Sequence, residues 1–175
     1  MNKALFLDRD GVINVDKGYV YKWEDIIWME EVFEMIKLAN SKGYKVIVLT
    51  NQSGIHKNMY TEADVQVLHK KMDEYVKAKG LMIDDWFYCI DMDSEYRKPE
   101  PGMLLAAQKK YDIDFSKSFM VGDKSTDIFE TRGQFIRPKT LLVRGNYPLS
   151  HSDIGRDVTV YDSHAEVLKA LKNLL

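Results

Sequence analysis

Asp8 and Asp10 stand two positions apart, directly after the apolar run Ala4 to Leu7 and directly before Gly11. An apolar run of that length ending in acids and a glycine predicts a buried strand that hands side chains to a loop at its C-terminal tip. Open parallel α/β sheets bind ligands at such tips. Side chains alternate along extended chain, so the two carboxylates can share one small volume while glycine lets the backbone turn beneath them. Two like charges that close call for a cation, and magnesium suits them because it takes oxygen ligands and engages substrate phosphate. An Asp-x-Asp-Gly sequence can also be a solvated turn. Phe6 and Leu7 immediately upstream favour the strand-tip reading, since a surface turn does not need them.

Three further clusters carry chemistry. A second apolar run, Lys45 to Leu49, ends in Thr50, Asn51, Gln52, Ser53 and Gly54, a set of uncharged hydrogen-bond donors that suits a phosphate group. Arg97 and Lys98 precede Pro99 and Pro101, which block helix upstream and let one start near Pro101. Lys98 could neutralise a phosphoryl oxygen as a point charge, and Arg97 could grip a second anionic group bidentately, whereas a lone basic pair would simply be solvated. The run 118–121 ends in Gly122, Asp123 and Lys124. Ser125 or Thr126 is expected to cap a following helix, with Asp127 in its first turn, favoured there by the helix dipole or orienting Lys124. The polar loop Asp16, Lys17, Gly18 and Tyr19 follows the first carboxylate tip and is expected to lie over the site and contact what binds.

The elements that must position these residues alternate. Helical spacing marks residues 30–42, a helix capped by Thr61 with Asp64 as its capping partner and ended by Gly80, a helix through Tyr111, and a terminal helix over 164–175. His69, among lysines on the second of these, reads as a surface histidine. Strands are expected at 4–7, 45–49, 86–90, 118–121 and 140–143, with a small edge strand within 154–161. The pattern predicts an α/β fold with a doubly wound parallel sheet, as one domain over residues 1–175.

Bulk properties narrow the function. A formal net charge of −2 carries no polyanion-binding signature, so nucleic acid and anionic membrane are poor partners, and anion binding must be local. One cysteine, Cys89, excludes an internal disulfide and a multi-cysteine zinc site. No basic-then-apolar leader opens the chain and no apolar stretch approaches about 18 residues. A cytoplasmic monomer is expected.

The ordered set Asp8-Arg-Asp10-Gly, Thr50-Asn-Gln-Ser53, Lys98-Pro and Gly122-Asp-Lys124-x-x-Asp127 resembles the haloacid dehalogenase superfamily of phosphotransferases across residues 4–145. The longer forms Asp8 to Asn14, Asp16 to Val20, Thr50 to Gly54, Arg97 to Met103 and Met120 to Lys124 are similar to the heptose bisphosphate phosphatases and the histidinol phosphatases. The resemblance implies a Rossmann-like fold with little or no cap. It makes Asp8 the nucleophile, Asp10 the general acid and then base, and Thr50 and Lys98 the groups that stabilise the transferring phosphoryl. It places magnesium on Asp8, Asp123 and the backbone carbonyl of Asp10, with Asp127 behind them. Residues 16–19 and 50–53, with Arg97, Lys98 and Lys124, would contact substrate. These phosphatases commonly carry a zinc loop before Arg-Lys-Pro. Here that segment, Cys89 to Tyr96, has one cysteine and no histidine, so no zinc is expected.

The implied reaction is magnesium-dependent removal of the C7 phosphate of a heptose 1,7-bisphosphate. Histidinol phosphate is the nearest alternative substrate, and a guanidinium at Arg97 favours a second phosphate over an ammonium. A non-enzymatic phospho-accepting switch also uses acidic strand tips, a Thr/Ser and a Lys, but has no need of Asp10 as an acid. A nucleic-acid end phosphatase lacks its basic groove.

Overall fold

A computed structural model of the chain describes residues 1–131, 136–150, 155 and 157–175. Six parallel strands form one sheet: β1 (Ala4–Leu7), β2 (Lys45–Asn51), β3 (Asp85–Cys89), β4 (Phe119–Gly122), β5 (Lys139–Val143) and β6 (Val158–Tyr161). Their spatial order is β3-β2-β1-β4-β5-β6. Parallel neighbours need crossovers, and α1 (Glu31–Ser41), α2 (Glu62–Ala78) and α3 (Gly102–Tyr111) supply them, with α4 (His164–Leu174) closing the chain. Between β1 and α1 the only regular element is the single 3-10 turn Trp23–Asp25, so no cap domain is inserted there. No helix among the described residues is long and apolar enough to cross a membrane.

Parity along the strands builds two cores. Leu5, Leu7, Val46 and Val48 pack with Val32, Met35 and Ile36 of α1, Leu68 and Met72 of α2, and Val167 and Leu171 of α4. Ala4, Phe6, Ile47 and Leu49 face the other way, onto Met103, Leu104 and Ala107 of α3 and onto Phe115 and Phe129. Burial on both faces is why these strands read as continuous apolar runs. The chain winds outward from β1 in both directions, so a crevice opens between the tips of β1 and β4, the switch point where such sheets bind ligands.

Two local expectations change. β2 runs past its apolar residues, so Thr50 and Asn51 are strand residues in register with Tyr88 and Cys89 of β3. The helix expected after Lys124 is a single 3-10 turn, Ser125–Asp127. Asp127 Oδ2 accepts the backbone N–H groups of Asp123 at 3.0 Å and Lys124 at 3.1 Å, which satisfies those donors locally. Of the expected edge strand, 158–161 is observed, and residue 154 lies outside the described residues. The capping box of α2 forms as expected, with Thr61 Oγ1 accepting from Asp64 N and the Asp64 carboxylate accepting from Thr61 N.

Phe6 is completely buried two residues before Asp8, its ring 6.1 Å from that of Phe115. Phe6→Ala is expected to cost about 3–5 kcal/mol of stability, read from the midpoint of urea denaturation. A loss below about 1 kcal/mol would mean that the α3 layer collapses over the vacancy.

Candidate active site

The segments after β1 and β4 bring three carboxylates together at the switch point, and Lys98 reaches them from the segment after β3. Lys98 Nζ lies 3.0 Å from Asp8 Oδ1 and 2.6 Å from Asp127 Oδ1, and all three side chains are almost wholly buried. Asn51 holds Lys98 in place: its Nδ2 donates to the Lys98 carbonyl and its Oδ1 accepts the Lys98 N–H, each at 3.0 Å. Gly122 cannot be replaced by a larger residue without a shift, since a Cβ there would come within 2.3 Å of Asp127. Gly11, at φ +90°, presses equally close to Asp123.

The charges are unbalanced. Burial pushes the Asp123 carboxyl up to about 8, reinforced by the charges of Asp8 and Asp127. Burial also raises Asp8, to about 6, with Lys98 opposing and Asp127 adding to the rise. Burial disfavours the charged form of Lys98, but Asp127 and Asp8 more than offset it and hold the ammonium above its ordinary value. Both oxygens of Asp123 are buried with no hydrogen-bond partner. Carboxylate oxygens of Asp8, Asp123 and Asp127 lie within 4.8 Å of one another, an all-oxygen anionic set that fits a hard divalent cation.

Asp10 sits apart from this cluster. Its carboxylate accepts from Arg9 Nη2 at 3.1 Å, Asn14 Nδ2 at 3.0 Å and Gln52 Nε2 at 3.2 Å. Burial alone would raise its pKa, but the Arg9 charge and these hydrogen bonds prevail and hold it below the usual carboxylate range. A side chain turned to Arg9 is compatible with a metal role for the Asp10 backbone carbonyl.

Two adjoining cavities open over these groups. One, of about 390 Å³, is lined by Asp8, Asp10, Thr50, Asn51, Ser53, Arg97, Lys98 and Lys124. The second, of about 180 Å³, continues from it past Asp16, Gly18, Tyr19 and Gln52. The strand tips therefore converge, and the loop from Asp16 lies beside them. Lys17 is exposed and lines neither cavity.

Other participants lie where the sequence analysis did not place them. Tyr147 and Pro148 line the larger cavity, and Tyr147 donates to Asp16 Oδ2 at 3.0 Å beneath Lys124 Nζ, 4.4 Å from its ring. They follow β5 directly, so the rule that marked the other strand tips could have found them. Asp127, expected to be favoured by a helix dipole or to orient Lys124, pairs with Lys98, because the 3-10 turn brings it back under β4. His69 is buried against Arg9, not on the surface.

This fold with these strand tips defines a phosphatase of the haloacid dehalogenase superfamily. The solved D,D-heptose 1,7-bisphosphate phosphatase from B. bronchiseptica, complexed with magnesium and phosphate, matches with a TM-score of 0.78 at 25% identity over 99% of each chain. The family model described as polynucleotide kinase 3 phosphatase matches residues 4–154, and the chain belongs to that family. It is 40% identical over 155 residues to the D-glycero-beta-D-manno-heptose-1,7-bisphosphate 7-phosphatase of Helicobacter pylori, covering 86% of this chain and 90% of that one. To the D-glycero-alpha-D-manno-heptose-1,7-bisphosphate 7-phosphatase of Burkholderia mallei it is 42% identical over 137 residues, 73% of this chain and 72% of that one.

Asp123 makes a pH prediction. Its carboxyl titrates near about 8 folded and near 3.8 unfolded, so the native chain binds the extra proton between those values and loses stability as pH rises. In chelator, Asp123→Asn is expected to melt higher than the wild type at pH 8, with the two converging toward pH 5. A variant that melts lower at pH 8 would contradict the buried repulsion.

Proposed function

We propose that this chain removes the C7 phosphate of a D-glycero-D-manno-heptose 1,7-bisphosphate, as its relatives' names say of them. The observation that carries the reading is the Asp8 carboxylate, exposed to a cavity on one side and held by Lys98 at 3.0 Å on the other. An Asp8 oxygen attacks phosphorus as the bond to the sugar oxygen breaks, and that oxygen takes a proton from Asp10. Water then attacks the aspartyl phosphate, giving its proton to Asp10, while the bond from phosphorus to Asp8 breaks and phosphate leaves. Asp10 is anionic at rest, the form the second step needs, and a phosphate dianion beside it raises its proton affinity for the first. Lys98 and Thr50 face the phosphoryl oxygens, where the transition-state charge spreads.

Asp8 and Asp123, with the Asp10 backbone carbonyl, would hold magnesium, and Asp127 would orient Lys98. When bound, the ion neutralises phosphoryl charge. Zinc is not part of this reading: Cys89 donates its thiol to the Asp91 carbonyl at 3.4 Å, and the segment after it offers neither histidine nor a second cysteine.

Two other substrates are weighed, one from the family's polynucleotide description and one from the motif resemblance to histidinol phosphatases. Against the first stand the net charge of −2 and the acidic loop Asp91, Asp93 and Glu95 beside Arg97. Against the second stands Arg97. The test is phosphate release from heptose 1,7-bisphosphate, histidinol phosphate, fructose bisphosphate and a 3′-phosphorylated oligonucleotide, with and without magnesium. Fastest magnesium-dependent release is expected from the heptose bisphosphate, and Asp8→Asn is expected to abolish it at an unchanged Tm. Release from the oligonucleotide alone would overturn the sugar assignment.

Arg97 lines the cavity and has a buried Nη1 with no hydrogen-bond partner, as expected of a group awaiting an anion. Arg97→Ala is expected to lower kcat/KM for the bisphosphate by about 1.5–3 kcal/mol and to leave the C7 monophosphate almost untouched. Equal losses on both would defeat its role in gripping the phosphate that stays.

A further inference from the structure

Arg9 lies just past β1, at a bend between Asp8 and Asp10, and its side chain enters the layer that holds α2. Among the described residues, Arg9 is the largest of the fully buried side chains. Its guanidinium spans three elements. Nη2 lies 3.1 Å from Asp10 Oδ1 and 3.0 Å from Oδ2, and it also donates to the backbone carbonyl of Val20 at the end of the Asp16 loop. Nη1 reaches His69 Nε2 on α2 at 3.1 Å. Guanidinium has donors only, so Nε2 must accept and the histidine proton sits on Nδ1. That Nδ1 is buried without a partner.

The histidine is clamped in this state. Its ring stacks on Trp86 with centroids 4.8 Å apart and meets Tyr88 edge-on at 5.7 Å, both from β3. Burial, and then the Arg9 charge, hold its pKa well below the ordinary value, so it stays the neutral acceptor that Arg9 requires. An orphaned buried N–H is costly, and a leucine would fill the same apolar slot without that cost. The feature a leucine would not supply is the acceptor for one arm of a planar guanidinium, whose other arm then has a fixed direction.

We propose that Arg9 and His69 are a positioning pair for Asp10: His69, fixed between two β3 rings, receives one arm of Arg9 and thereby sets the other arm against the Asp10 carboxylate. The pair acts on proton transfer and not on the nucleophile, because Asp8 has its own support in Lys98 at 3.0 Å. The inference rests on the reading of Asp10 as acid and base.

The test compares wild type, His69→Leu, His69→Gln, His69→Asn and Asp10→Asn on heptose 1,7-bisphosphate and on p-nitrophenyl phosphate, with Tm recorded for each. An alkoxide leaving group needs protonation and a nitrophenolate does not. His69→Leu is expected to lose about tenfold in kcat/KM on the sugar phosphate, through kcat at a steady KM, and to stay within about twofold in kcat/KM on the aryl phosphate, a parameter that ends at phosphorylation of Asp8 and leaves out the hydrolysis both substrates share. Gln carries an acceptor that reaches Arg9 and is expected to restore most of the loss, whereas Asn, one methylene shorter, is not. Should the leucine variant fail to fold, the Gln and Asn ratios decide the same question. Equal losses on both substrates, a change confined to KM, no loss at all, or Gln as damaging as Asn would each overturn the pair. Leaving-group dependence in Asp10→Asn but absent from the His69 variants overturns the pair alone. Its absence from Asp10→Asn removes Asp10 from the acid role and takes the pair with it.

Discussion

Lys98 sits between Asp8 and Asp127 at 3.0 and 2.6 Å, and its ammonium makes a cluster of buried carboxylates tolerable at the tip of β1. Burying an unpaired ion costs several kcal/mol even after relaxation, and three carboxylates so close would repel as well. One ammonium cannot neutralise three acids. Lys124, raised by Asp8, Asp123 and Asp16 against the cost of its own burial, carries part of the difference. Asp123, with both oxygens unpartnered, carries the rest as a raised carboxyl. The fold thus stores an electrostatic deficit where a cation and a phosphoryl group would meet, and the glycines pressed against Asp123 and Asp127 leave those side chains no room to turn away.

Much of this was legible because the sheet is parallel and covered on both faces. Strands buried on both sides read as apolar runs, so the ends of those runs in β1, β2 and β4 stand out at Asp8, Thr50 and Asp123, although β2 itself continues through Asn51. Helices are less informative. A histidine flanked by lysines on an amphipathic helix reads as solvated, yet one position of rotation separates the solvent from the core. His69 lies on the core side with Leu68 and Met72, a placement that depends on Arg9 sixty positions away. Asp127 failed for a related reason. Its capping behaviour was visible, but a 3-10 turn in place of a helix changes where the carboxylate points, and that is decided by Lys98 reaching in from another strand tip.

On the proposed reading, substrate choice would lie in the loops that the strands leave free. Asp16 is tied to the loop after β5 through Tyr147 and through Asn146, whose amide donates to the Asp16 carbonyl at 2.8 Å. One wall of the smaller cavity is therefore built from two loops that share a single carboxylate. On the far side, the short segment after Cys89 leaves a cavity of about 600 Å³ between Met92, Glu95 and Arg97. Relatives named for the alpha and for the beta anomer are both about as similar to this chain, at 42% and 40% identity. Overall similarity therefore does not choose the anomer, and on the proposed reading the contacts that would do so lie in these walls.

Arg9 stands just past β1, at a bend between two carboxylates that line the cavity, and its side chain enters the packed layer behind the sheet. An apolar residue there would have been enough for stability. Arginine adds a buried charge, which the interior tolerates only with partners, and its partners here are Asp10, the Val20 carbonyl and a neutral histidine. Each partner belongs to a different piece of the site's frame: the Asp10 carboxylate, the loop beside the cavity, and the helix behind the sheet. A fixed guanidinium joins them more rigidly than an apolar side chain could, since apolar contact is non-directional and a planar fork is not.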